Sequence, residues 1–127
     1  MATEIHIMHD VKAAKARGAK VWVIDIYKTT TCAQADEVII TKPGTDGALA
    51  LGILHILERD NLVNREFIAN NVIGYDELVK ESLPEYTPEK VSAITGVPAA
   101  QIEALAHAYG QAKAPFIRLG SGLSRYG

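Results

Sequence analysis

Lys20-Val21-Trp22-Val23-Ile24-Asp25 is a short apolar run with polar ends, and Val21, Val23 and Ile24 are β-branched aliphatics. Such a run fits a strand buried on both faces, as in a parallel sheet. The chain before it is helical in pattern. Ile7, Val11 and Ala14 share one face, Lys12, Lys15 and Arg17 lie elsewhere, and Gly18 follows as a C-terminal stop. After it, residues 29–36 read as a connection with one helical turn, and Val38-Ile39-Ile40 as a second, very short strand. Pro43-Gly44-Thr45-Asp46 is a turn with two candidate N-caps. It opens a helix through Ala48, Leu49, Leu51, Ile53, Ile56 and Leu57.

Helical patterning resumes from Asn64 through Ile68 and from Tyr75 to Lys80. Thr87-Pro88-Glu89 starts a further helix with Thr as cap and Pro in the first turn, ending at Gly96. Pro98 opens another helix, carrying Ile102, Leu105 and Ala106. Pro115-Phe116-Ile117-Arg118-Leu119 reads as a third strand running into Gly120-Ser121-Gly122. This order predicts an α/β fold: a parallel sheet of few strands flanked by helices, a partial dinucleotide-binding-like domain. Residues 1–127 form one segment of it.

At 127 residues and 48% apolar composition, one globular domain is the default. A disordered tail, a collagen-like repeat and a disulfide scaffold are excluded. The single cysteine, Cys32, cannot close an internal disulfide or supply the thiolates of an iron–sulfur cluster. No apolar run approaches the ~18 residues of a membrane span, and Met1 to His6 carries no secretory pattern. The formal charge is −2. Residues 29–86 carry four Lys/Arg against ten Asp/Glu, and no face forms a basic stripe. Attraction to nucleic acid or an anionic lipid surface is therefore not expected.

Two aspartates stand where ligand chemistry gathers in such folds. Asp25 ends a buried strand, and the carboxyl ends of strands are where open α/β sheets bind ligands. A carboxylate there can accept hydrogen bonds from both hydroxyls of a ribose; taken alone, Asp25 is equally an acidic loop residue or helix cap. In Pro43-Gly44-Thr45-Asp46-Gly47, the two glycines allow close backbone approach and the free N–H groups of a helix start face whatever binds. Asp46 can accept two parallel hydrogen bonds. Guanine offers two neighbouring donors, its ring N–H and exocyclic amine, so one carboxylate matches it and rejects adenine. Taken alone, the segment reads first as an ordinary turn and helix cap.

Together the segments Gly18-Ala19-Lys20-Val21-Trp22-Val23-Ile24-Asp25, Ala35-Asp36 and Pro43 to Gly52 resemble the molybdopterin oxidoreductases of the dimethyl sulfoxide reductase superfamily. Tyr86-Thr87-Pro88-Glu89, Ile94 to Ala99, Ile102, Leu105-Ala106 and the closing Gly120 to Gly127 continue the match in the same order. The resemblance implies an internal segment of an oxidoreductase catalytic subunit that uses bis-molybdopterin guanine dinucleotide with molybdenum or tungsten. It assigns Asp25 and Asp46 to the guanosine end of one dinucleotide, with Gly44 and Thr45 as backbone neighbours. The family follows its strand with aspartate-proline-arginine. Here Asp25 is followed by Ile26-Tyr27, and Lys28 is the nearby base that stands in for part of that arginine's role. The family's metal ligand, and any iron–sulfur cysteines, lie upstream of the matched region. The resemblance therefore implies a chain that is metal-free and inert alone, partnered by the parent's other domains and by electron-transfer subunits. Its apolar strands imply self-association. The compartment is left open.

The remaining features weigh less. Cys32 reads as a small buried residue. His6 and His9 are three apart, but no pattern completes a metal site. His55 and His107 fall in helical patterns, and Arg118 and Arg125 flank the glycine-rich ending, where a cofactor phosphate or plain solvent would face them. Residues 87–110 also read helix, glycine turn, helix, as in a helix-turn-helix DNA-binding module. Its second helix offers Gln101 and the repulsive Glu103 but no Lys or Arg, a poor basis for phosphate contacts.

Overall fold

In the computed structural model, which describes residues 7–120, the first helix, α1 (Ile7–Ala16), is stopped by Gly18 at φ +93°. Glycine alone takes that conformation without a steric cost. The chain then enters β1 (Trp22–Asp25). Asp36 fastens this corner: its carboxylate accepts the Val21 N–H at 2.8 Å and pairs with the Lys15 ammonium at 3.1 Å. The Val21 amide and Lys15 together hold Asp36 below the usual carboxylate range. A 3-10 turn, Thr30–Gln34, leads to β2 (Glu37–Ile40). The two strands pair in parallel, with Trp22 opposite Glu37 and Asp25 opposite Ile40.

Among the described residues five helices follow: α2 (Asp46–Arg59), α3 (Arg65–Asn71), α4 (Tyr75–Glu77), α5 (Pro88–Thr95) and α6 (Ala99–Gly110). A π turn and a 3-10 turn carry the chain from Leu78 to Glu85. Two helix ends read from sequence, the Thr87 cap and the Gly96 stop, are in place, whereas Thr45, one of the two candidate N-caps of α2, makes no side-chain cap bond. The Asn64 side chain accepts the Phe67 N–H at 2.9 Å, the Thr87 hydroxyl accepts that of Lys90, and Gly96 ends α5 at φ +77°. Caps of this kind contribute about 1 kcal/mol each.

The core joins Ile39 of β2 to Leu49 and Ile56 of α2, Val91 of α5, Val97, and Ile102, Leu105 and Ala106 of α6. Trp22, Ile53 and Tyr86 pack against it. Gly52 lets α2 and α5 close up: a methyl group added there would sit 2.9 Å from a Val91 methyl. At the far end of α2, Arg59 bridges Asp60 at 2.8 Å and Glu103 at 3.0 Å, and His107 donates to Asp60 at 2.7 Å. No helix among the described residues is long and apolar enough to cross a membrane.

Two expectations are corrected. Residues 115–119 form no strand; Phe116 and Leu119 are 86% and 68% exposed, and among the described residues the sheet has two strands. A β-branched and aromatic run becomes a strand only beside a neighbour that bonds its backbone and covers its side chains. None of the described elements does so. For the same reason β1 is not buried on both faces: among the described residues it is an edge strand, and Ile24 is 42% exposed.

Candidate functional site

Because β1 and β2 are parallel, both end at one edge of the sheet, and the chain turns away from each at that edge. Asp25 closes β1. One of its carboxylate oxygens accepts the Ile26 N–H at 2.8 Å and the other the Thr29 hydroxyl at 3.4 Å. Among the described residues each oxygen has this one donor, and a carboxylate oxygen has a second lone pair to offer. The backbone carbonyl of Asp25 accepts the Thr41 N–H at 3.0 Å, which locks the exit of β2 to the exit of β1.

The next four residues, Lys42-Pro43-Gly44-Thr45, form a turn with Pro43 at its second position and Gly44 at φ +77° in its third, closed by the Thr45 N–H on the Lys42 carbonyl at 3.3 Å. That is the residue pattern of a type II turn. The Thr45 hydroxyl donates to the same Lys42 carbonyl at 2.7 Å and lies 2.8 Å from the hydroxyl of Thr41. A hydroxyl has one proton, so Thr41 is the donor of this second bond. Thr45 therefore turns back from the helix it precedes and gives α2 no side-chain cap. Asp46 occupies the first position of α2, half-buried, where the helix dipole favours a carboxylate. Gly47 beside it opens onto free space, with nothing within 4 Å of where a side chain would begin.

The turn has a foundation. The Lys42 N–H donates to the Thr95 carbonyl at 2.9 Å, and its ammonium donates to the Ala93 carbonyl at 3.2 Å. Its side chain crosses Gly96, where a methyl group would come within 3.3 Å of Lys42 Cε. Thr95, fully buried, donates to the Val91 carbonyl and accepts the Val97 N–H. The C-terminus of α5 thus supports the loop that presents Asp46.

Asp25, Gly44, Thr45 and Asp46 all stand at this edge. Thr41 and Lys42, which join them, were not singled out from sequence. The signal available was two threonines four apart across a Pro-Gly turn. The other residues read from sequence lie elsewhere or outside the described residues, as His6 and Arg125 do. Cys32 is half-exposed rather than buried, with its sulfur 3.6 Å from the Thr29 hydroxyl. His55 donates from Nδ1 to the Leu83 carbonyl at 3.0 Å, a structural tie between α2 and the turn before α5. His9 and Arg118 are on the surface. Among the described residues no cluster of three His, Cys, Asp or Glu could hold a metal ion. The helix-turn-helix alternative loses its reading residue, since the Gln101 amide donates to the Val38 carbonyl of β2 at 3.1 Å.

No protein-family model matches the chain. Individual proteins do. The chain is 46% identical over 122 residues to probable oxidoreductase YoaE of Bacillus subtilis, covering 96% of this chain and 18% of that protein. It is 41% identical over 120 residues to the F420-dependent formate dehydrogenase 1 subunit alpha of Methanococcus maripaludis, covering 94% of this chain and again 18% of the relative. In structure it is similar to the acetylene hydratase of Pelobacter acetylenicus, with a TM-score of 0.86 and 33% identity over 93% of this chain and 16% of that one. The chain thus spans less than one fifth of the length of these relatives.

Proposed function

The chain belongs to the molybdopterin oxidoreductases, a family of enzymes, and from that premise we propose that its carboxyl sheet edge holds the guanosine end of a molybdopterin guanine dinucleotide. On this reading residues 1–127 are one segment of a cofactor-binding domain. Asp46 accepts the ring N–H and the exocyclic amine of guanine. Asp25 accepts the ribose hydroxyls, while Gly44 and Thr45 line the approach with backbone. The observation that carries the reading is the Asp25–Thr41–Thr45–Asp46 linkage, which fixes two half-buried carboxylates at one sheet edge.

The donor set suits such a group. Carboxylates take hydroxyl and amine donors, the open first turn of α2 takes an acceptor, and Gly47 leaves room for close approach. When bound, the cofactor supplies the redox chemistry of its molybdenum or tungsten; this segment binds and orients its nucleotide end. The metal ligand and any iron–sulfur cluster belong to other parts of the parent, and the chain alone is inert. Formate dehydrogenase alpha subunits among the relatives support a parent that works with further subunits.

An NMR titration of the chain tests the reading. Guanosine monophosphate should shift the amides of Gly44 to Ala48 and of Asp25, and adenosine monophosphate should shift them much less. Part of a pocket binds weakly, at roughly millimolar Kd, or about 4 kcal/mol. Equal shifts from both nucleotides, or shifts confined to α5 and α6, would remove the guanine assignment.

A further inference from the structure

We infer that Tyr27 is the stacking platform for the nucleobase at this edge, an inference that rests on the guanosine reading above. The chain leaves β1 in a bend made by the Asp25 carboxylate, which accepts the N–H of the very next residue, Ile26. Ile26 is half-buried and anchors the bend; Tyr27, one residue on, is 63% exposed. Among the described residues no hydrogen bond engages its hydroxyl, and most of the side chain faces solvent.

The other described aromatics are committed elsewhere or stand far along the chain. Trp22 and Tyr86 pack on the core, and Tyr75 bonds to Glu58. Phe67 lies on α3, Tyr109 on α6 and Phe116 beyond α6. Tyr27 is thus the one described aromatic that follows directly on a strand end of the two-aspartate edge. Its place is fixed to that edge through two bonds: Asp25 to Ile26 on one side, and the Thr41 N–H on the Asp25 carbonyl on the other.

The two carboxylates read donors in the plane of a base and on its ribose. They leave the flat face of the base unrecognised and wet. An aromatic ring removes that face from water and accepts any base, since every base has a π-face. Division of labour follows. Asp46 selects guanine over adenine, and Tyr27 supplies affinity without selecting between them.

The test titrates the chain with guanosine monophosphate, adenosine monophosphate and ribose 5-phosphate, following nucleotide H8 and protein amide shifts. Tyr27→Leu should weaken both nucleotides by the same factor, roughly tenfold, and leave ribose 5-phosphate unchanged. Tyr27→Phe should bind as the wild type does, because the ring is kept. H8 should move upfield on binding the wild type and Tyr27→Phe only. Unchanged nucleotide binding by Tyr27→Leu, with the Gly44 to Ala48 amides still shifting, would overturn the stacking role and leave the guanosine reading standing. A loss of ribose 5-phosphate binding equal to the nucleotide loss would also overturn it, as damage to the bend. No nucleotide-dependent shift in the wild type would overturn both.

Discussion

The buried hydroxyl of Thr41 donates to the hydroxyl of Thr45 across 2.8 Å, and this bond turns Thr45 away from the helix it precedes. Thr45 is the N-cap of α2 by position, yet its side chain caps nothing. Its proton goes back to Lys42 instead, and the first turn of α2 stays open beside Asp46.

The pair should be energetically coupled. Thr41→Val keeps the shape of the side chain and removes the donor, at a cost of about 1 kcal/mol. Thr45→Val should cost a similar amount. The double variant should cost less than the two together by about 0.5 kcal/mol or more, as expected of partners in contact. Urea denaturation of the four proteins reads this directly, and strict additivity would mean the hydroxyls do not bond in solution.

Gly52 is a packing glycine. A helix interior ordinarily gains up to about 1 kcal/mol when alanine replaces glycine. Here the new methyl would lie 2.9 Å and 3.0 Å from the two methyls of Val91, which is fully buried and stiff at its first torsion. Overpacking of this kind costs about 1–3 kcal/mol and should outweigh the propensity gain. Gly52→Ala should therefore unfold at lower urea, and adding Val91→Ala should relieve the clash while opening space of its own. A Gly52→Ala variant more stable than the wild type would show that α2 and α5 do not cross this closely.

Tyr75 sets an alkaline limit. Burial, and then the Glu58 carboxylate that its hydroxyl donates to, push its pKa up to about 12. The unfolded chain ionises tyrosine near 10. A group that holds its proton more tightly when folded contributes stability below the unfolded pKa and loses it as pH rises toward the folded one. Stability should therefore fall between about pH 10 and 12. Tyr75→Phe should flatten that fall and remove the last ionisation step from the 295 nm absorbance titration. If Tyr75→Phe instead removed a step near pH 10 and left the alkaline fall in stability as it was, Tyr75 would stand in an ordinary environment.

Local signals carried most of the fold. Gly18, Gly44 and Gly96 all take positive φ where the sequence puts a stop or a turn, and Thr87 caps α5 as its position predicts. Each of these is decided within a few residues by backbone sterics or one hydrogen bond. The misreading at 115–119 was of the opposite kind. Strand composition is a local property, but a strand exists only through a partner, and the described part of the chain offers residues 115–119 none. The site divides the same way. Asp25 and Asp46 were legible from their neighbours in sequence. Thr41 was not, because its role arises from where a turn folds it back, and neither was the hold that Lys42 takes on Thr95 and Ala93.

The uncovered apolar surface should drive association of the isolated chain. Phe116, Ile117 and Leu119 are 86%, 60% and 68% exposed, and among the described residues β1 has an unpaired edge. Unpaired edges and apolar patches of this kind recruit further strands. Light scattering should show the mean mass rising with concentration, and Ile117→Lys should suppress the rise. A clean monomer at every accessible concentration would count against it.

Asp46 and Asp25 should fail in different ways. Asp46→Asn replaces one acceptor of the carboxylate with a donor, so guanine meets one matched and one opposed group. Hydrogen bonds to a charged group contribute about 1.5–3 kcal/mol, so losing one reduces binding by roughly tenfold or more. That loss falls on guanosine monophosphate alone, and the preference over adenosine monophosphate should disappear. Helix α2 also loses a charge favoured by its dipole, a penalty of about 0.3–1 kcal/mol that leaves the chain folded. Asp25→Asn should weaken both nucleotides equally, because the ribose is common to them, and should keep the preference. The comparison needs only the same titration run on two variants. If Asp25→Asn abolished the preference while Asp46→Asn left it intact, the two carboxylates would have exchanged roles.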